Sequence, residues 1–435
     1  MENKNIILIE CGTTMLSPNN TGIQRVVRSI IAQAPLISSE LGIDYCLVEF
    51  ANNSFREIER VRQPYENLGQ AHLRKPIKAL LIVIAKLVIL FVPKSLRHNL
   101  KSRVKKIYNQ LSKRNKVQDI FQTLNARQAK YQSGTQIIYH PVLVLLDSTR
   151  EDEMWPALDQ FRKKGGHVCA ILYDLIPFTH PQTVPDAACR IYTQWWTKVP
   201  LHVDSVICIS QSVRTEFLEW QQQQKLKMVL PQEKVGYFYL GAELTQKDPV
   251  IQILSLSTPT FLVVGSLEPR KNHSLVLDAF ELLWKDGHAV NLAIVGAFGW
   301  KSEKLLARIE NHAELGNRLL LIRDATDRDL TAMYDKSAAL IIASLAEGFG
   351  LPIVEAFQRG GYVICSNLPV FKEIAGDHAS YFDPFDASSL AEAVKRRLEL
   401  GDFANKKNTV KHGWINWHES TRQLISRVIE IRDRN

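Results

Sequence analysis

Ala339-Leu-Ile-Ile-Ala343-Ser-Leu-Ala-Glu347-Gly-Phe-Gly-Leu-Pro-Ile-Val-Glu355 is the stretch on which the fold turns. Its first five residues are apolar without alternation, the pattern of a strand buried on both faces in a parallel sheet. A short loop with two glycines follows. Pro352 suits a helix start, where no N–H is needed, and Gly360-Gly361 reads as the helix stop. Gly348 and Gly350 let backbone approach a ligand closely. The N–H groups at the helix start favour an anion such as a diphosphate. Two carboxylates beside an anion site would repel it, so their use there is to hydrogen-bond hydroxyls. Glu355 suits a ribose diol, and Glu347 a transferred group or a phosphate-bound proton. The same spacing also fits a plain strand–turn–helix with two solvated carboxylates.

The grammar repeats along the chain. Ile6–Ile9, Tyr45–Phe50, His167–Leu172 and Ser205–Ile209 read as strands in the first half. Phe261–Val264, Asn291–Val295, Arg318–Ile322 and Tyr362–Cys365 join Ala339–Ala343 in the second. Strands alternating with helical patterns argue for βαβ units and an α/β class. A polar stretch at 245–259 separates two domains, 1–250 and 255–410, and a last helical pattern, with Trp414 and Trp417 at its start, fills 411–435.

The 435 residues exceed one ordinary core and suit two. With 46% hydrophobic residues, the composition is that of a folded protein and excludes wholesale disorder. Six cysteines without a CxxC pair argue against a zinc ribbon and against a disulfide framework. The N-terminus reads as a first strand rather than a signal peptide, which makes the cytoplasm the expected compartment. The net charge of +9 suggests an anionic partner.

A second motif, Gly265-Ser-Leu-Glu-Pro-Arg270-Lys271-Asn272, follows the strand Phe261–Val264. Arg offers a bidentate fork and Lys a point charge to a diphosphate. A solvated turn is the plainer alternative.

Together, the two motifs resemble the retaining glycosyltransferases of family 4, which have the GT-B fold and use nucleotide-sugar donors. Thr21-Gly22-Ile23-Gln24-Arg25-Val26 looks like the first glycine loop of that family. Tyr173-Asp174-Leu175-Ile176-Pro177 sits where many members read His-Asp-Leu-Ile-Pro. Ile209-Ser210-Gln211-Ser212 looks like the family's Ser-x-Ser turn. Trp417 matches the tryptophan at the start of a helix that crosses back to the N-terminal domain.

The resemblance implies two Rossmann-like domains facing across a cleft, the donor mainly on the C-terminal one and the acceptor on the N-terminal one. Arg270 and Lys271 would neutralise the diphosphate, and Glu355 would bind the ribose. Glu347, with the backbone of Gly348, Phe349, Gly350 and Leu351, would hold sugar and phosphates. Gly22 would approach the diphosphate from the opposite domain, Ser266 stands where many members have Arg, and Asp174 is the expected catalytic partner. Tyr173 replaces the family's sugar-contacting His, with His180 as a possible substitute and Ser210 as a further acceptor or sugar contact. No metal and no cofactor are expected, and no Asp-x-Asp motif stands near the site. The form of the motifs resembles bacterial mannosyltransferases of surface-polysaccharide assembly, which makes GDP-mannose the expected donor and a lipid-linked or growing glycan the expected acceptor. A sucrose-type transferase or phosphorylase relative and a non-catalytic scaffold are the other readings on the same fold. Trp195-Trp196 could stack on a sugar, but core packing is the stronger reading.

One region stands apart. Residues 79–92 are apolar except Lys86, and residues 94–116 hold nine Lys or Arg and no acid, an excess equal to the net charge. As a helix, residues 76–92 would be about 25 Å long, short of the roughly 30 Å hydrocarbon core. Lys75, Lys78 and Lys86 would then share one face, the pattern of a helix lying in a membrane interface. The basic run would bind anionic lipid, placing the protein peripherally on the inner face of the cell membrane. A buried helix, or strands, followed by a solvated basic helix is the alternative. A nucleic-acid binder is poorly supported, since Tyr108 is the run's one aromatic.

Overall fold

The computed structural model describes residues 2–17, 22–58, 119–130, 137–147, 149–224, 226, 228–243, 258–401, 403 and 414–434. The 76–116 stretch and most of the polar 245–258 stretch lie outside them. The chain is α/β, with two parallel-sheet, Rossmann-like domains. Contacts divide it into two compact units, Met1–Val27 with Ile43–Gly166, and Arg28–Gly42 with His167–Asn435.

In the first unit, β1 (Glu2–Glu10), β2 (Asp44–Ala51), β3 (Ser54–Glu57) and β4 (Ile137–Leu145) run in the order β3-β2-β1-β4. All pairs are parallel except the β2–β3 hairpin. Asn52 and Asn53 take positive φ in the hairpin turn, as its twist requires. Strand β4 was not evident in the sequence because Tyr139, His140 and Pro141 interrupt its apolar run, and Pro141 lacks the N–H expected of a central strand.

In the second unit, β5 (His167–Leu172), β6 (Ser205–Cys208) and β7 (Val235–Tyr237) are parallel neighbours. Six more parallel strands follow: β8 (Thr260–Val264), β9 (Asn291–Val295), β10 (Leu319–Ile322), β11 (Ala339–Ile342), β12 (Val363–Ser366) and β13 (Ala379–Phe382). Their order is β10-β9-β8-β11-β12-β13. The winding therefore reverses between β8 and β11, and the crevice at the carboxyl ends of those strands is where such sheets bind ligands. Below it, Phe261, Phe280, Leu283, Ile294 and Ile341 form a core with zero exposure.

The last helix spans Trp417–Asp433, starting six residues later than the sequence pattern. It lies against β6 and β7, and a Cβ on Gly236 would sit 2.7 Å from Ile431 Cδ1, so the helix packs directly on this strand position. Ser420 donates to the Tyr239 carbonyl at 2.7 Å. Trp414 stands before the helix and stacks on Phe357. Trp195 and Trp196 are buried, and Trp196 packs edge-on against Phe217, so the pair belongs to the core.

Candidate active site

Two loops meet at the reversal between β8 and β11. The first leaves β8 at Gly265, whose φ of +149° is glycine territory and whose neighbour Gly296 lies so close that a Cβ there would be 2.0 Å from the Gly265 carbonyl oxygen. The chain then makes a 3-10 turn at Pro269–Lys271, and Asn272 takes a left-handed φ of +56° before the helix His273–Lys285. Asn272 holds this turn by donating Nδ2 to the Pro384 carbonyl at 2.8 Å. The second loop leaves β11 and enters the helix Leu351–Gln358 through Gly350, at φ +103°. The Leu345 amide donates to the Arg270 carbonyl at 2.8 Å, which ties the two loops together.

Arg270, Lys271 and Glu347 converge here. Glu347 Oε2 lies 2.7 Å from Arg270 Nη1, and Oε1 lies 2.5 Å from Lys271 Nζ. Ser344 donates to Oε1 at 2.8 Å. Burial alone would raise the Glu347 pKa, but Arg270 and Lys271 outweigh it and hold the carboxyl down at about 2. Burial likewise lowers the Arg270 pKa, and Glu347, Glu268 and Asp174 together more than reverse it. Arg270 also donates Nη1 to the Ala346 carbonyl at 3.1 Å and Nη2 to Glu268 Oε1 at 2.6 Å. The guanidinium is therefore locked flat between the loops, as a bidentate anion binder needs to be. Glu268 is buried, its Oε2 has no hydrogen-bond partner, and burial raises its pKa.

Asp174, whose Oδ1 accepts from the Ile176 amide at 3.1 Å, is near enough to act on Arg270. Gly348 has a structural reason to be glycine: a Cβ would sit 1.9 Å from the Tyr173 carbonyl oxygen. Ser210 has zero exposure, donates to the Gly348 carbonyl at 2.9 Å and accepts from the Val213 amide at 3.1 Å. Its hydroxyl thus caps the helix Gln211–Gln223 and seats the Gly348 loop, which corrects the expectation of a sugar contact. Gln211 and Ser212 donate their backbone amides to Glu373, each at 2.7 Å.

Glu355 is buried one turn inside its helix, and Oε2 accepts from the Tyr334 hydroxyl at 2.8 Å. Phe349 is buried, and its ring lies 6.3 Å from that of Tyr239, so it serves packing. Leu351 is the first residue of the 351–358 helix, and Ser266 follows Gly265, both half-buried. Tyr173 is buried. His180 caps a short helix with Nδ1 3.0 Å from Thr179 Oγ1, and burial lowers its pKa. Gly22, in the other compact unit, is exposed at the start of the helix Gly22–Leu41, where a Cβ would meet nothing within 4 Å.

Arg270, Lys271, Glu347 and Asp174, singled out in the sequence, lie together in the structure. Sequence reasoning passed over Glu268, Ser344 and Tyr334. Glu268 stood inside the quoted motif, while Ser344 and Tyr334 carry no signal before the chain folds. Among the described residues, no group of three His, Cys, Asp or Glu side chains is arranged to hold a metal ion.

Two cations at the reversal of a doubly wound sheet can hold an anion, and comparison with known proteins bears on the class. Residues 246–411 match the family described as glycosyl transferases group 1. The chain is 33% identical over 296 residues to a serotype-specific mannosyltransferase WbdA of Escherichia coli, covering 65% of this chain and 36% of that protein. It is 26% identical to O-antigen chain mannosyltransferase B of Escherichia coli, covering 58% and 68%. The match thus spans about a third of the length of WbdA. The fold is GT-B. HepE of Anabaena, solved with UDP and glucose, matches with a TM-score of 0.57 at 14% identity over 98% of this chain and 99% of that one. Sucrose-phosphate synthase of Thermosynechococcus elongatus matches at 0.59 and 18% identity, over 99% and 100%.

Proposed function

We propose that the chain is a retaining hexosyltransferase that moves mannose from GDP-mannose to a lipid-linked or growing surface glycan without a metal ion. The observation that carries this reading is the convergence of Arg270 and Lys271 on Glu347 at the β8/β11 reversal. Such a pair of fixed cations supplies the charge that a departing diphosphate needs, in a site where little reorganisation is required. The diphosphate takes over the ion pairs that Glu347 makes in the free protein. Glu347, released, turns to the hydroxyls of the transferred sugar. Glu355, braced by Tyr334, accepts from the ribose. Asp174 adds negative charge beside Arg270 and orients the guanidinium toward the leaving group. Mannose and a surface-glycan acceptor are supported by the names of the relatives. The 76–116 sequence supports docking on an anionic membrane face, and no helix among the described residues is long and apolar enough to cross a membrane.

The test is a thermal-shift screen against GDP-, UDP- and TDP-sugars. The donor stabilises the fold by about 2.7 kcal/mol at a hundredfold excess over its Kd. NMR of the product then reads the anomeric configuration, and activity persists in EDTA. Stabilisation by none of the nucleotide sugars overturns the reading. For the membrane, Leu81→Asp, Leu87→Asp and Phe91→Asp together should abolish co-sedimentation with anionic vesicles. Equal binding by wild type and variant removes the docking face.

A further inference from the structure

The sheet of the first compact unit also reverses its winding, between β1 and β4. The two strands end in register, Glu10 opposite Leu145, so their carboxyl edges open on one crevice. Glu10 is 1% exposed there. Its Oε1 accepts from the Gly12 amide at 3.1 Å and the Thr149 hydroxyl at 3.2 Å, while its Oε2 is buried with no hydrogen-bond partner. The Thr149 hydroxyl lies 2.6 Å from that of Thr13, which is exposed. Asp147, next to this chain of oxygens, accepts from the Thr14 amide. Gly12 lets the backbone wrap the carboxyl, since a Cβ there would sit 2.9 Å from Glu49 Cβ and 3.3 Å from Glu10 Oε1.

A buried polar atom without a partner calls for a ligand or water to satisfy it. Burial, then Asp147, push the Glu10 carboxyl up to about 8, so at neutral pH it is an acid able to donate. The neighbouring Asp147 and Glu49 disfavour an anion. No metal-holding trio exists among the described residues. Two hydroxyls backed by a carboxylic acid offer both donors and acceptors, which is how a sugar's hydroxyls are read.

We propose that Thr13 and Thr149, with Glu10 beneath them at the carboxyl edge of β1 and β4, form a subsite for the hydroxyls of the acceptor glycan. The acceptor assignment rests on the transferase reading; the hydroxyl-binding site does not. The experiment uses the full chain, with methyl α-glycosides of mannose, glucose and galactose and an α-linked mannobiose as probes in saturation-transfer NMR and calorimetry. Thr13→Val and Thr149→Val should each weaken binding of the preferred probe at least fivefold. They should raise the acceptor KM by the same factor and leave kcat and GDP affinity unchanged. Glu10→Gln, which keeps a donor, should retain binding that Glu10→Met loses. Because Glu10→Met can unfold the strand end, the two threonine variants decide.

Binding within twofold of wild type in both threonine variants, or no binding of any probe by wild type, overturns the subsite. A fall in GDP-mannose affinity with GDP affinity unchanged would put the donor's hexose there and overturn the acceptor assignment. If wild type binds no nucleotide sugar yet binds a glycoside through Thr13 and Thr149, the transferase reading fails and the subsite stands.

Discussion

Replacing Glu347 with Gln removes a buried carboxylate on which two cations close. The amide keeps the shape and the hydrogen bond from Ser344, so the change isolates charge. Breaking a buried ion pair by removing one partner costs about 3–5 kcal/mol. Arg270 and Lys271 hold the carboxyl down at about 2, so the charge that the variant removes is one the folded state favours. Glu347→Gln should cost about 3 kcal/mol at pH 7 in urea unfolding. The folded-state pKa is depressed, so this stability is present above pH 4.5 and is lost as pH falls from 4.5 through about 2. The loss in Glu347→Gln should therefore shrink across that window. The variant also frees Arg270 and Lys271 from their internal competitor. Pyrophosphate and GDP should then bind more tightly than in wild type and restore part of the lost stability, while transfer falls because the sugar contact is gone. A cost below about 1 kcal/mol, together with unchanged pyrophosphate affinity in calorimetry, would refute the argument that Glu347 holds the cations in the free protein.

Arg270→Ala and Lys271→Ala should depress kcat, because leaving-group charge grows in the transition state; a change confined to KM would reduce them to ground-state binding. Glu355→Ala should weaken nucleotide binding by about 1.5–3 kcal/mol, and Tyr334→Phe by about 1 kcal/mol, in calorimetry with GDP; unchanged affinity in both would remove the ribose role. Ser210→Ala should cost about 1 kcal/mol of stability as a lost helix cap, with acceptor KM unmoved once the variant is folded; a raised KM at unchanged stability would restore a sugar contact. Glu10 titrates in the opposite sense to Glu347. Its raised pKa means the unfolded chain ionises first, so stability should fall as pH rises from 4.5 to about 8, and Glu10→Gln should flatten that fall in urea titrations at several pH values.

The α/β class, the doubly wound second sheet and the charged loops at its reversal are legible in the chain itself. The physical reason is locality. A parallel strand buried on both faces must be continuously apolar, as Ala339–Ile342 and residues 292–295 are, and the loop after it has few ways to leave. Arg270, Lys271 and Glu347 sit on such loops, so the sheet order alone brings them together. What depended on distant packing was not legible. Gly348 is glycine because the Tyr173 carbonyl lies against it, a contact across 175 residues of sequence. Ser210 looked like a ligand contact and is a cap that reaches the Gly348 loop. Strand β4 hid behind His140 and Pro141, and only its pairing with β1 makes it a strand. Glu10 and Asp147, both at strand ends 137 residues apart, form one cluster solely because β1 and β4 are neighbours. Local pattern decides which elements form and what their loops carry; the desolvation, ion pairing and steric exclusion that assign each side chain its role arise only when the strands are side by side.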